Sequence, residues 1–374
     1  MQDHLLTLNA GSSSIKFALF DCAGDLATPV SSGQIAGLGA GADDNALTHS
    51  QAMKQVLERV ADFRVVAVGH RIVHGGTTFS EPVLIDNDVL RTIAQLQPLA
   101  PLHQRHNLAG VHSARGGFPG VPQVACFDTA FHRTQPEVNR HFALPQALHE
   151  SGIQRYGFHG LSYESIRAQL IAADARAALG RIVIAHLGNG ASMCAMVEGK
   201  SVATTMSFSP LDGLPMGTRC GRLDAAVVLH LLEHERRSAE DIGQLLYRVS
   251  GLLGLSGVSS DMRELLVSSS PRAQLAIDYF VEHSLRELAA MAAALRGIDG
   301  LVFTGGIGEN AAALRGRIIE GAKWMGMQLD ASTNEHGTGR ISAIGSSVWI
   351  DMLRTNEEAV IARHTACCAG LRAN

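Results

Sequence analysis

The chain has 374 residues, enough for two domains, and its 46% hydrophobic and 18% charged residues exclude a disordered or fibrous protein. The formal net charge of -4 provides no general attraction for nucleic acid or anionic lipid, and no apolar run approaches the roughly 20 residues of a membrane helix, so we expect neither partner. The six cysteines form no CxxC pair and MQDHLLTLN lacks the basic start of a signal peptide, so we expect a reduced, cytoplasmic protein.

The first predicted elements are strands joined by a loop of small and hydroxyl-bearing residues. Residues 5–8 and 15–20 have strand patterns on either side of AGSSS, and a turn at 23–25 leads to a third extended stretch. Residues 181–206, RIVIAHLGNGASMCAMVEGKSVATTM, have the same layout of strand, glycine-rich turn, strand, turn and strand. The sequence therefore predicts one supersecondary unit that is used twice.

Helical patterns lie between and after these two units. SYESIRAQLIAADARAALG (162–180) has a serine start and a glycine stop, and residues 271–297 begin with proline and end with glycine. The strand patterns IVIAHL and GLVFTG alternate with these helices. The alternation predicts an α/β architecture in which helices cover sheets.

Three glycine-rich turns are candidates for binding an anion. NAGSSSIK (9–16) is not a Walker A loop, but its backbone N–H groups, its hydroxyls and Lys16 could bind phosphate; a solvated hairpin explains it equally well. HLGNGAS (186–192) is a second such turn. TGGIGENAAAL (304–314) opens a helix after a strand, where free N–H groups and the helix dipole favour phosphate. For each turn alone, ordinary turn chemistry in a chain with 39 glycines is an equal alternative.

Two arginines and an aspartate stand among small or apolar residues. Arg71 in GHRIVHGG and Arg219 in GLPMGTRCGRLD suit phosphoryl or carboxylate oxygens, although a structural salt bridge fits equally. Asp128 in ACFDTAFH is predicted to be partly buried. It would then need a cation, a hydrogen bond or a metal, unless it caps a helix or a turn.

Other polar residues at predicted helix positions have structural explanations beside functional ones. His159 precedes a predicted helix start, but a lone histidine is usually structural. His230 and His234 have i,i+4 spacing without a third ligand, which favours a helix-surface pair over a metal site. Asp261 is predicted to cap a helix, and Glu357 lies at a predicted helix start, where a carboxylate is favoured electrostatically.

Taken together, ten motifs resemble the acetate kinase family of short-chain carboxylate kinases, within the acetate and sugar kinase, Hsp70 and actin superfamily. In the family's order they are NAGSSSIK, GHRIVHGG, PLAPLH, FDTAFH, YGFHG, HLGNGAS, SPLDGLPMGTRCG, SGVSSDMREL, TGGIGEN and TNEEAVIAR. The resemblance runs nearly end to end. It implies two duplicated actin-like (ribonuclease H-like) α/β domains with a nucleotide cleft between them, at 1–133 plus 359–374 and at 134–358.

The resemblance also implies four groups of site residues. Mg²⁺, with Mn²⁺ as an alternative, would be placed by Asn9 and Glu357. The transferring phosphoryl group would be surrounded by Arg71, Asp128, His159 and Arg219. The small pocket for the acetate methyl group would be formed with Arg71 by Val73, Leu102, Phe158 and Pro210. ATP or ADP would be held by Lys16, His186, Leu187, Gly188, Asn189, Gly190, Asp261, Met262, Arg263, Gly305, Gly306, Ile307, Gly308 and Glu309.

The implied reaction is reversible, ATP-dependent phosphorylation of acetate to acetyl phosphate by direct in-line transfer. Acetate is already ionised at neutral pH, so no base need remove a proton from it. Arg71 and Arg219, with Mg²⁺ and His159, would neutralise a metaphosphate-like transition state. Asp128 would orient an arginine or a metal-bound water. A propionate or butyrate kinase and a non-catalytic actin-like ATP-binding protein are the alternatives, and the resemblance implies a homodimer.

Two departures from the family pattern bear on local loop conformation and substrate preference. Gln104 stands after His103 where the family has asparagine. Arg222 and Ala225 stand in RLDAA where the family has an acidic residue and proline.

Overall fold

The computed structural model describes residues 2–11, 14–38, 47–101, 103–174 and 179–372. The chain forms two compact units. Unit 1 comprises Met1–Arg133, Gly160–Ser165 and Asn356–Asn374, and unit 2 comprises Thr134–His159 and Ile166–Thr355. The limits predicted above for two domains, at 133/134 and 358/359, stay a prediction.

Unit 1 contains a six-stranded sheet. Its strands are β1 (Asp3–Ala10), β2 (Ser14–Asp21), β3 (Ser31–Ala36), β4 (Arg64–Ile72), β5 (Val83–Leu84) and β6 (Gln123–Phe127). They lie in the order β3-β2-β1-β4-β6-β5. The first three form an antiparallel meander, β4 pairs in parallel with β1 and with β6, and β5 is antiparallel to β6. The predicted N-terminal meander is thereby confirmed.

Helices cover the sheets and connect the strands. In the described part of the chain they are α1 (His49–Arg59), α2 (Asn87–Gln95), α3 (Gln104–Gly117), α4 (Glu137–Arg140), α5 (Gln146–Glu150), α6 (Gly160–Ala173), α7 (Ala225–Glu233), α8 (Ala239–Arg248), α9 (Gly251–Ser256), α10 (Met262–Leu266), α11 (Pro271–Ala294), α12 (Gly305–Asn310), α13 (Ala312–Ala322), α14 (Ala331–His336) and α15 (Glu357–Cys368). Among the residues that the structure describes, no helix combines the length and the apolar character of a membrane span.

Side chains of β1 pack against helices on both faces of the unit 1 sheet. Leu6 shares a buried cluster with Met53 of α1. Leu5, its neighbour, shares a different cluster with Ala359 of α15. Successive side chains of a strand point to opposite faces, so a central strand that is covered on both sides is buried almost continuously.

The sheet of unit 2 repeats this arrangement. Its strands are β7 (Arg181–Leu187), β8 (Ala191–Val197), β9 (Lys200–Thr204), β10 (Gly300–Thr304), β11 (Gly339–Arg340) and β12 (Trp349–Met352). Their order is β9-β8-β7-β10-β12-β11. This is the strand order of unit 1 with every strand number raised by six. The pairing directions also match, with an antiparallel meander followed by two parallel strands and an antiparallel edge strand. The predicted duplication of an α/β unit is confirmed.

The ends of one predicted long helix agree with the structure, and the ends of the other do not. α11 begins at Pro271 as expected, and Gly297, with φ 133°, follows its end. α6 begins at Gly160, two residues before the predicted serine start, and it ends at Ala173 rather than near Gly180. The early end has a local cause, since Asp174 has extended backbone angles (φ -158°, ψ 101°) that stop a helix.

Candidate active site

The carboxyl ends of the three parallel strands of unit 1 gather residues that are far apart in the chain. Asn9 is the penultimate residue of β1, Arg71 is the penultimate residue of β4, and Asp128 directly follows β6. The Asp128 amide donates to the Ile72 carbonyl at 3.0 Å, which extends the pairing of β4 and β6 by one residue. Because parallel neighbours end at one edge of a sheet, the fold places these three side chains together.

Arg71 is the centre of this group. Its Nε and Nη2 donate to the two carboxylate oxygens of Asp128 at 3.0 and 2.5 Å, and its Nη1 donates to Asn9 Oδ1 at 3.1 Å. Nε also lies 3.9 Å from Glu357 Oε2. The cation that the buried Asp128 carboxylate requires is therefore Arg71.

Burial and charge shift the pKa values of this group in opposite directions. Burial acts to lower the pKa of Arg71, but the carboxylates of Asp128 and Glu357 outweigh it and raise that pKa, so the guanidinium stays charged. Burial raises the pKa of Glu357 to about 7, with Arg71 opposing the rise and Asp128 adding to it. The two carboxylates share one close cation, so a second cation here would stabilise Glu357 in its ionised form.

The chemistry of Asn9 and Glu357 fits Mg²⁺. An amide oxygen and a carboxylate are the hard donors that Mg²⁺ prefers, and Mg²⁺ commonly takes few protein ligands while keeping waters and substrate phosphates. Within the described ranges, no three His, Cys, Asp or Glu side chains cluster as a metal site. A site of this kind would therefore rely on oxygens from water and nucleotide.

The first glycine turn is described only in part. Lys16 is exposed and stands opposite Asn9 in the pairing of β1 with β2. Its charge is close enough to Glu357 to oppose the rise in the pKa of that carboxyl, which burial causes in the first place. Ser12 and Ser13 lie outside the described residues.

Unit 2 carries a second polar group, built around its own first hairpin. The turn from Gly188 to Gly190 joins β7 to β8. The His159 ring stacks on the His186 ring with centroids 4.3 Å apart, and its Nδ1 lies 2.8 Å from Ser192 Oγ. His159 precedes α6 in a left-handed conformation with φ 59°, which is uncommon for a residue other than glycine. The local fold thus holds this ring against the hairpin.

Arg219 joins the same group. A Cβ atom added at Gly190 would lie 3.3 Å from His159 Nε2 and 3.9 Å from Arg219 Nη1, so all three residues meet at the turn. Arg219 Nη1 donates to the Pro210 carbonyl at 3.1 Å. Phe158, the neighbour of His159, is buried.

The predicted pocket residues therefore fall into separate parts of the chain. Phe158 and Pro210 belong to unit 2, whereas Val73 belongs to unit 1. Leu102 lies outside the described residues.

The second and third glycine turns adjoin each other in unit 2. A Cβ atom at Gly188 would come within 3.6 Å of the Gly306 nitrogen. Gly305 begins α12 with φ 79°, and a Cβ atom there would lie 2.8 Å from the Leu187 carbonyl oxygen. Only glycine allows β7 and the start of α12 to approach so closely.

The predicted nucleotide residues 261–263 form a capped helix start in unit 2. Asp261 accepts from the Arg263 amide at 2.8 Å and pairs with the Arg263 guanidinium at 2.6 Å. The predicted helix cap is confirmed. The Arg263 side chain is exposed, whereas Met262 is buried.

Arg315 is a residue of this region that the sequence analysis did not select. Its Nη1 donates to the carbonyls of Gly308 and Glu309 at 2.8 and 3.0 Å, where α12 ends. Its Nε donates to Asn334 Oδ1 at 2.8 Å. The Glu309 carboxylate accepts a hydrogen bond from the Gly305 amide at 3.0 Å. The context that singled out Arg71, a charge among small and apolar residues, also applies to Arg315 and could have identified it.

The departures from the family pattern are accommodated locally. Arg222 forms an ion pair with Glu287 of α11 at 3.2 Å. Ala225 is the first residue of α7, and Asp224 caps that helix by accepting from the Ala226 amide at 2.8 Å. Proline at a first helical position forms no backbone donor bond, so its replacement by alanine leaves the cap intact.

Comparison with known proteins places this geometry in a family. The model of the acetokinase family matches residues 4–363. The chain is 49% identical to an acetate kinase of Methylocella silvestris, with 96% of each chain covered, and 48% identical to one of Rhodopseudomonas palustris, with 97% and 98% covered. Similar solved structures include a propionate kinase of Francisella tularensis (TM-score 0.90, 35% identity, 97% and 99% covered) and a Porphyromonas gingivalis acetate kinase (TM-score 0.87, 35% identity, 98% and 99% covered). The chain belongs to the acetokinase family.

Proposed function

We propose that this protein is an acetate kinase, which uses ATP to convert acetate reversibly to acetyl phosphate. The observation that carries the proposal is the Arg71 guanidinium, held by both oxygens of buried Asp128 beside Asn9 and Glu357. A fixed guanidinium of this kind can bind phosphoryl oxygens without reorganising during the reaction. The relatives named as acetate kinases match the chain over almost its whole length.

In this proposal, the protein's own residues position charge rather than transfer protons. The acceptor carboxylate is ionised at neutral pH and needs no general base. Asp128 orients Arg71, and Arg71 and Arg219 neutralise oxygens of the transferring phosphoryl group. His159, held by Ser192 and stacked on His186, provides a further donor to the same group.

We assign Asn9 and Glu357 to Mg²⁺ because they offer an amide oxygen and a carboxylate, which are hard donors, and because a bound cation would offset the burial that raises the pKa of Glu357 to about 7. When bound, Mg²⁺ would neutralise charge on the phosphates of the nucleotide. The ATP or ADP site would comprise Lys16, the turn 186–190, residues 261–263 and the turn 305–309. Close packing of the last turn against Leu187 supports this assignment within unit 2.

We assign acetate specificity to Val73, Leu102, Phe158 and Pro210, together with Arg71. A difference of one methylene in an apolar pocket discriminates by only about 1–3 kcal/mol, so related enzymes can differ in substrate preference. The similar structure titled as a propionate kinase makes propionate the competitor to measure.

We further propose a homodimer in the cytoplasm. Helix α7 leaves three large apolar side chains exposed, Val227, Leu229 and Leu232, at 41%, 54% and 37%. A contiguous exposed apolar patch is typical of a surface that a partner covers, and Leu229 and Leu232, three positions apart, share one side of α7. The six cysteines are free thiols, as expected in a reducing compartment.

A hydroxylamine trap tests the proposed reaction. Purified protein with ATP, Mg²⁺ and acetate should yield acetyl hydroxamate, and omission of acetate or Mg²⁺ should abolish it. Absence of hydroxamate in the complete mixture would contradict the enzyme assignment. Values of kcat/KM for acetate, propionate and butyrate should be highest for acetate, and a clear preference for propionate would replace the assignment with a propionate kinase.

A further inference from the structure

The loop that follows β4 in unit 1 is held at three consecutive residues, whose backbone groups form hydrogen bonds with side chains from other elements. The bonds join the Val73 amide to Asn107 Oδ1 (3.0 Å), Gln104 Nε2 to the His74 carbonyl (3.1 Å), and the Gly75 amide to Thr129 Oγ1 (3.0 Å). All three partner side chains are buried. The conformation of this loop therefore depends on individual side chains of α3 and of the segment after β6.

Asn107 also holds the end of β1. Its Nδ2 donates to the Ala10 carbonyl at 2.8 Å, while its Oδ1 accepts from the Val73 amide. A carbonyl cannot donate and an amide N–H cannot accept, so one orientation of the Asn107 side chain satisfies both neighbours. The side chain is 3% exposed, so water does not readily replace either bond. One amide group thus sets the separation between the end of β1 and the loop that follows β4.

The residues on one face of helix α3 allow Asn107 to form both hydrogen bonds. Gln104 and Asn107 are three residues apart and share one face of the helix. Gly110 continues that face, and a Cβ atom there would lie 3.0 Å from the Ala10 Cβ atom. A glycine at this position lets the helix approach the end of β1 closely enough for the Asn107 amide to reach both β1 and the loop after β4.

We propose that Asn107 is a positioning residue that sets the place of Val73 in the acetate site. The inference rests on the proposed function, in which Val73 contacts the acetate methyl group and Arg71 the phosphoryl group. Val73 lies two residues after Arg71, and Ala10 directly follows Asn9. The hydrogen bond from Arg71 to Asn9 and the two bonds of Asn107 are therefore successive links between β1 and β4. Gln104 supports the same loop one residue further on.

Loss of the two Asn107 hydrogen bonds should change the KM for acetate more than the KM for ATP. In Asn107→Leu, which removes both bonds at similar volume, we expect the KM for acetate to rise roughly tenfold, as for the loss of about one buried hydrogen bond. The KM for ATP should change by less than about twofold, because the glycine turns assigned to ATP in unit 2 are untouched. The ratio of kcat/KM for acetate over propionate should fall several-fold, since the loop that carries Val73 is no longer held.

Two further variants make the test specific. Asn107→Asp keeps an acceptor for the Val73 amide but sets a buried carboxylate oxygen against the Ala10 carbonyl, so its KM for acetate should also rise more than its KM for ATP. Asn139→Leu is the control, because it removes a single amide-to-carbonyl bond, to Val202 at 2.7 Å, in unit 2. Its two KM values and its substrate ratio should match those of the wild type.

The inference is overturned if Asn107→Leu changes both KM values in the same proportion, or if Asn139→Leu gives the same acetate-selective rise. Should Asn107→Leu fail to fold, as judged by circular dichroism, the ratio of the two KM values in Asn107→Asp decides in the same way. A wild-type protein that forms no acyl phosphate overturns the proposed function, and the inference with it. Wild-type turnover with unchanged variants overturns the inference alone.

Discussion

Arg71 and Asp128 form a bidentate ion pair, with nitrogen to oxygen distances of 3.0 and 2.5 Å. The Asp128 side chain is 2% exposed and that of Arg71 is 21% exposed, so the carboxylate is withdrawn from water while the guanidinium keeps an open side. Two parallel bonds fix the plane of the guanidinium, which a single contact would not do. We therefore expect Asp128 to act on the reaction through the orientation of Arg71.

Replacement of Asp128 by asparagine tests this relationship. Asp128→Asn keeps the shape but has one acceptor oxygen and no charge, so Arg71 loses its fixed orientation. We expect kcat to fall about 100-fold, as for the loss of one oriented group at a transition state, with the KM for ATP within about threefold of wild type. Asp86→Asn is the control, because Asp86 caps α2 and asparagine caps equally well. A near-normal kcat for Asp128→Asn would contradict the role.

Arg219 should contribute to the transition state rather than to nucleotide binding. In Arg219→Ala we expect kcat to fall by roughly two or more orders of magnitude while ATP binding, measured by calorimetry, persists. The control is Arg237→Ala, whose guanidinium pairs with Glu235 on the surface of unit 2. Retention of kcat in Arg219→Ala would remove Arg219 from the mechanism.

Arg315 should affect ATP binding by holding the backbone of α12 in place. Arg315→Met leaves the carbonyls of Gly308 and Glu309 without their buried donor, so the turn assigned to the nucleotide should shift. We expect the KM for ATP to rise at least about tenfold and the KM for acetate to change less. Arg317→Met, two residues along α13, loses only a partly exposed pair with Asp278 and is the control. Equal effects of the two variants would show that Arg315 has no special role.

The ion pair of Arg222 with Glu287 should make stability depend on pH. The Arg222 side chain is 67% exposed and that of Glu287 is 6% exposed. Burial raises the pKa of Glu287, and Arg222 opposes the rise. A carboxyl whose pKa is raised on folding favours the folded state at low pH, and this contribution is lost as the pH rises through the folded pKa.

Arg222→Ala should therefore raise the pKa of Glu287 further. We expect the variant to lose about 1 kcal/mol more stability at pH 7 than at pH 5, relative to wild type, because Glu287 is then ionised without its partner. Urea unfolding at the two pH values measures this difference. Arg91→Ala, which removes an exposed pair with Asp88, should lose the same small amount at both. An equal loss at both pH values for Arg222→Ala would refute the coupling.

The elements of this fold are set by short-range patterns and could be predicted from the sequence. Strand alternation and glycine turns predict both meanders, and Pro271 marks the start of α11. The start of α6 differs from the serine start that the sequence predicts, because it depends on a left-handed backbone at His159, which is uncommon for a residue other than glycine. Ten motifs in the family's order predict the family, because each motif combines residue types that a particular turn or charged site needs.

Local sequence patterns thus specify the duplicated α/β units, the glycine turns and the charged residues at those turns. Which of these residues come into contact depends on the tertiary fold. Asp128 lies 57 positions from its partner Arg71, and Asn107 lies 97 positions from Ala10. These contacts arise because β4 inserts beside β1 and then pairs with β6, a neighbourhood set by burial of both sheet faces against α1, α3 and α15 rather than by any pattern within a few residues.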